Sequence, residues 1–124
     1  MSENQLTKCE LELMDIVWER RRVTVQEVAD GLQRSLAYTT VMSTMNTLET
    51  KGAVRRCGKS GRAIIYEAIV AKEDVQQAMT DSLAKSLYGG SVKALMMSLI
   101  GNEQMSSEDI NELRGAIEQL ETNQ

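Results

Sequence analysis

The chain has 124 residues, enough for one domain or two small ones, with 42% hydrophobic and 26% charged residues. A net charge of −4 excludes a uniformly basic nucleic-acid binder, and the absence of histidine excludes a His-centred triad or an imidazole metal cluster. No apolar run approaches the ~18 residues needed to span a bilayer.

No proline, eight methionines and many strong helix formers predict a mainly helical protein. The polar, acidic N-terminus does not read as a signal peptide. The two cysteines, Cys9 and Cys57, lie in different predicted elements, unlike a secreted disulfide framework, so a reducing cytoplasm is the expected location.

The first helix is expected to start at Thr7, where Thr7-x-x-Glu10 forms a capping box and Leu6 can staple to Leu11. Leu11, Met14, Val17 and Trp18, with Leu13 and Ile16, make its apolar stripe, and Arg20-Arg21-Arg22 suits its C-terminus. Trp18 is read as core. A second box, Thr24-x-x-Glu27, with the staple Val23 and Val28, opens a short second helix that ends near Gln33.

A third helix is expected from Tyr38 to Lys51, with Val41, Met45 and Leu48 facing the core. Thr39, Thr40, Met42, Ser43, Asn46 and Thr47 lie off that stripe, and Gly52 supplies a left-handed stop. Val54–Cys57 and Arg62–Ile69 then read as a hairpin around the turn Gly58-Lys59-Ser60-Gly61. Lys51, Arg55, Arg56, Lys59 and Arg62 make this stretch basic, with no acid between 51 and 66. A helix of short hydrogen-bonding groups joined to a cationic hairpin is what a winged helix needs to enter a major groove and hold the flanking phosphates.

The second half is acidic, −5 over residues 71–124 against +1 over residues 1–70. Glu73–Tyr88 carries Val75, Met79, Leu83 and Leu87 at i+4 spacing, and Gly89-Gly90 breaks the pattern. Ser91–Ile100 holds Leu95 and Leu99. Ser106-x-x-Asp109 caps a last helix with Ile110, Leu113, Ile117 and Leu120 at 3-4-3 spacing. Three short amphipathic helices make a poor core alone, and a second copy would bury their seams. The expected layout is a winged-helix DNA-binding domain over 1–70 and a three-helix dimerisation domain over 71–124.

This order resembles the BlaI/MecI/CopY family of bacterial repressors, the penicillinase-repressor family. The matching residues are Leu6-Thr7 with Glu10, Val17-Trp18-Glu19, and Thr24-Val25 with Glu27-Val28. Thr40-Val41, Leu48, Lys51-Gly52 and Gly61-Arg62 with Tyr66 match the recognition helix and wing. Leu87-Tyr88-Gly89-Gly90-Ser91 and Met105-Ser106 through Glu112-Leu113-Arg114 match the second half.

The resemblance implies a homodimeric transcriptional repressor on a palindromic double-stranded operator. It implies Tyr38, Thr39, Thr40, Met42, Ser43, Asn46 and Thr47 as groove-facing residues. Lys51, Arg55, Arg56, Lys59 and Arg62 are the implied phosphate or wing contacts. Val75, Met79, Leu83, Leu87, Leu95, Leu99, Ile110, Leu113, Ile117 and Leu120 are expected at the dimer interface.

Three departures bear on regulation. Ser98-Leu99 stands where β-lactam-responsive members carry the Asn-Phe bond cut by a sensor protease. No cysteine follows Cys57, so the terminal Cys-x-Cys of the copper-responsive members is missing. Leu36 and Ala37 replace the usual aromatic and serine before helix 3, pointing to a different cap such as Ser35. The inducer, a sensor protease or another signal, stays open.

Neither catalysis nor a cofactor nor a metal site is expected. No phosphate-cradling Gly-rich loop precedes a helix, and neither cysteine has an imidazole base. The competing readings are a winged-helix adaptor that binds protein, and a thiol-responsive regulator using Cys57, whose basic neighbours would favour its thiolate.

Overall fold

The computed structural model describes residues 5–123. Its elements run α1 (Lys8–Arg20), β1 (Arg22–Thr24), α2 (Val25–Gly31), α3 (Tyr38–Thr50), β2 (Val54–Ser60), β3 (Ala63–Ala68), α4 (Lys72–Tyr88), α5 (Val92–Asn102) and α6 (Ser107–Thr122). The chain divides into two compact units after Leu83.

Both Thr-x-x-Glu boxes close reciprocally. The Glu10 amide donates to Thr7 Oγ1 at 3.2 Å, while Glu10 Oε1 accepts from the Thr7 amide at 2.8 Å. The same exchange joins Thr24 and Glu27, at 3.1 and 2.9 Å. Each box satisfies two of the amides that a helix start leaves orphaned. α1 stops at Arg21, whose φ of 72° lies in a region that L-residues seldom adopt.

The first unit packs α1, α2 and α3 on a three-stranded antiparallel sheet of order β1-β3-β2. β1 goes beyond the expected two-stranded hairpin, and it pairs Val23 with Tyr66 of the central strand. The core gathers Leu13, Met14 and Val17 from α1, Val23, Val28, and Val41, Met45 and Leu48 from α3, closed by Val54 and Tyr66. Trp18 packs against this cluster, half-buried, and its Nε1 donates to the Val70 carbonyl at 3.0 Å.

The wing differs from expectation in its turn. β2 continues through Gly58, Lys59 and Ser60, and the reversal is made by Gly61-Arg62 alone. Gly61 sits at φ 62°, a left-handed conformation that glycine adopts without a Cβ penalty. A bulge at Cys57 shifts the register: Arg56 faces Tyr66, and Gly58 faces Ile65. One extra residue on β2 bends the strand, and Ile64 and Ile65 are both partly buried.

α4 begins as part of the first unit. Val75 is 1% exposed in its core and Met79 packs against that core. The expectation that Val75 faces a dimer partner is corrected here, because its side chain is sealed within the chain, while Met79 is only partly buried.

In the second unit, Gly89 and Gly90 take positive φ and end α4. Ser91 caps α5 by accepting from the Ala94 amide at 3.0 Å, and Ser106 caps α6 through the Asp109 amide at 3.0 Å. Leu95 is 5% exposed and so is also removed from the expected dimer surface. α6 buries no residue at all.

Candidate DNA-binding surface

The three buried residues of α3 fix which of its sides faces outward. At about 100° per residue, the meridian opposite Val41, Met45 and Leu48 carries Thr39, Ser43, Asn46 and Thr50. Met42 flanks it on one side, with Thr40 and Thr47 on the other. Tyr38, Thr39, Thr40, Met42, Ser43, Asn46 and Thr47 are all exposed, so the structure brings the expected groove-facing set to one accessible surface. Thr50 joins that surface, although the sequence reading left it out.

Hydrogen bonding sets the chemistry of this surface. Thr44, Thr47 and Thr50 donate their hydroxyl protons to the carbonyls of Thr40, Ser43 and Asn46, at 2.8, 3.1 and 3.0 Å. Outward, Thr47 and Thr50 therefore present lone pairs and methyl groups. The side chains of Ser43 and Asn46 make no hydrogen bond among the described residues and keep both donor and acceptor capacity.

The start of α3 is open. Its N-cap is Ala37, with no side-chain cap bond, which replaces the expected Ser35 cap. Ala37 accepts from the Thr40 and Val41 amides through its carbonyl, leaving the amides of Tyr38 and Thr39 without an intrahelical partner. Uncapped amides at the positive end of a helix dipole suit a phosphate oxygen.

The cations divide into two groups. Lys51 turns toward the protein with 32% of its side chain exposed: its Nζ donates to Glu10 Oε1 at 2.6 Å and to the Gln5 carbonyl at 3.3 Å. Burial pushes the Glu10 carboxyl up, but the Lys51 hydrogen bond, the Thr7 amide and the Lys51 charge together hold it below the ordinary carboxylate value. Lys51 is thereby corrected from phosphate contact to structural ion pair.

Arg55 meets Glu67 at 2.6 Å, and Arg56 meets Glu49 at 3.1 Å while lying 5.9 Å from the Tyr66 ring centroid. Both guanidinium groups stay largely exposed, and such surface pairs are worth about 0–1 kcal/mol, so both arginines can exchange partners. Lys59 and Arg62 are exposed at the wing tip and make no ion pair among the described residues.

Cys57 occupies the bulge of β2 as a free, half-buried thiol, and Cys9 is also free, with Sγ 4.0 Å from Thr44 Oγ1. Among the described residues no group of His, Cys, Asp or Glu is placed to hold a metal ion. No described helix is long and apolar enough to cross a membrane.

A solvated helix with unspent polar groups, followed by a twisted cationic hairpin, defines a winged-helix protein of the DNA-binding kind. The comparison with known proteins narrows the class: residues 6–119 match the model of the penicillinase repressor family, and the chain belongs to that family.

It is 31% identical over 121 residues to the transcriptional regulator BlaI of Mycobacterium tuberculosis, spanning 94% of this chain and 86% of that one. It is 26% identical over 117 residues to the penicillinase repressor of Bacillus licheniformis, with 93% and 91% coverage. The solution structure of the DNA-binding domain of the repressor BlaI superposes with a TM-score of 0.52 at 26% identity. It covers 60% of this chain and 93% of that domain. The family is one of transcriptional repressors and not of enzymes.

Proposed function

We propose that the chain binds a palindromic DNA operator as a homodimer in the cytoplasm and represses transcription by blocking polymerase. The observation that carries this reading is the exposed, hydrogen-bond-competent side of α3 beside the wing cations Lys59 and Arg62, which make no ion pair among the described residues.

α3 would lie in the major groove, where short side chains reach base edges, while the wing straddles the adjacent backbone. Arg55 and Arg56 would trade their surface carboxylates for phosphates. Release of condensed counterions then supplies affinity that falls steeply with salt. The acidic second half would be repelled by DNA, which helps orient the first unit toward it.

The apolar residues left exposed support a second copy. Leu83, Leu87, Leu99, Ile110, Leu113, Ile117 and Leu120 all lie open in a single chain. Burying them against their counterparts would give the dimer its stability and bring two α3 helices to one operator. Half-sites should then be about 10 bp apart or a multiple of that spacing.

The test is fluorescence anisotropy of the full chain on duplex from upstream of its own gene, against a shuffled duplex, at several salt concentrations. Selective, salt-steep binding supports the repressor. Equal, weak binding to both duplexes favours a target elsewhere or a protein partner.

A further inference from the structure

Resting on the DNA reading above, we infer that each α3 reads an A·T-rich half-site, with Asn46 on an adenine and Met42 on a neighbouring thymine methyl.

The first ground is what α3 lacks. From Tyr38 to Leu48 it carries no charged residue, and the next cation, Lys51, is held by Glu10. The commonest specific contact to guanine is a bidentate arginine or lysine on O6 and N7, and this helix has no side chain to make it. The usual acceptor for cytosine N4 is a carboxylate, and the one acid of α3, Glu49, is paired with Arg56.

The second ground is what it offers. Asn46 is exposed, has no partner among the described residues, and carries the side chain that matches adenine N6 and N7 in bidentate fashion. Met42 lies four residues earlier on the same flank, about 5–6 Å away between Cβ atoms. It is 40% exposed, an unbranched apolar side chain beside the polar Thr39, Ser43 and Asn46. In the major groove the one apolar group a base pair presents is the thymine methyl. An Asn–Met pair at this spacing fits an adenine and the thymine of the same or an adjacent base pair.

The experiment selects binding sites for the full chain from a random duplex pool, then replaces each thymine of the enriched site by uracil, which removes only the 5-methyl group. The expected result is an A·T-rich half-site with at least one position where uracil weakens binding about fourfold, the transfer value of one methyl group. Met42→Ala should bind the thymine and uracil sites equally, while Met42→Leu, which keeps an apolar tip, should still discriminate. Asn46→Ala should lose about tenfold or more of its preference for adenine at one position.

Enrichment of G·C half-sites, or a flat uracil series with the unmodified protein, would overturn the inference while leaving the repressor intact. A pool with no enrichment would remove the DNA reading and this inference together. Met42 and Asn46 project into solvent, so each variant should fold, which circular dichroism checks directly.

Discussion

Lys51, at the C-terminal end of α3, places its Nζ 2.6 Å from Glu10 Oε1, the same oxygen that accepts the Thr7 amide in the capping box of α1. One buried carboxylate thus fixes the start of α1 and the end of α3 together. The seating of α3, and with it the direction its exposed side faces, is tied to α1 by a contact between residues 41 positions apart in sequence.

Glu10→Gln should therefore destabilise the first unit by about 1.5–3 kcal/mol at neutral pH, the range for hydrogen bonds to charged groups. The folded carboxyl titrates below its ordinary value, so its contribution is present above that value, about 4.3, and is lost as pH falls through the lower folded one. Denaturant midpoints of wild type and Glu10→Gln should converge on acidification below about pH 4. A gap that persists unchanged into strong acid would show that packing, and not charge, carries the effect.

The division of the cations predicts two different phenotypes. Arg62→Ala and Lys59→Ala should each flatten the dependence of log affinity on log salt by about 0.9, the value for one phosphate contact, with little change in stability. Lys51→Ala should leave that slope alone and lower the unfolding midpoint. Equal slopes for Arg62→Ala and wild type would take the wing tip off the backbone.

Ala37→Ser tests the open start of α3. The position already has extended N-cap dihedrals, φ −60° and ψ 142°, so a serine hydroxyl can accept from the first-turn amides without rearrangement. Stability should rise by about 1 kcal/mol. If those amides hold a phosphate, DNA affinity should fall at the same time, which anisotropy would read. A stabler variant with undiminished affinity would put the phosphate elsewhere.

The helix starts were legible in sequence because a capping box is local: Thr7 with Glu10 and Thr24 with Glu27 contain their whole mechanism within four residues. The outward side of α3 was legible for a related reason, since Val41, Met45 and Leu48 define its opposite. Long-range pairing was not. β1 is three residues whose partners, Ile65 to Glu67, lie some forty positions away, and two of the three also serve the start of α2. The wing turn was not fixed either, because Gly58 and Gly61 could both bound a reversal, and only the pairing of Ser60 with Ala63 leaves it to Gly61-Arg62. Lys51 looked like its basic neighbours until Glu10 was placed beside it. Val75 and Leu87 share one i+4 stripe, yet the first is sealed in a core and the second is 65% exposed; periodicity marks a stripe as apolar without saying what covers it.

That contrast within α4 separates folding from assembly in the final prediction. Val75→Ala removes two buried methyl groups and should cost the first unit about 1.5 kcal/mol or more, without altering oligomeric state. Leu113→Glu or Ile117→Glu should act the other way. α6 buries nothing within its own chain, so a glutamate there is solvated in the monomer and costs little. Across a closed seam it would be an unpaired carboxylate out of water, a penalty of several kcal/mol on association. Sedimentation velocity should show monomer for these variants at concentrations where the wild type is dimeric. The same variants should bind the palindromic site no better than one half-site. A dimer that survives both substitutions would place the interface on another surface, with α5 and its exposed Val92, Met96 and Met97 the next to test.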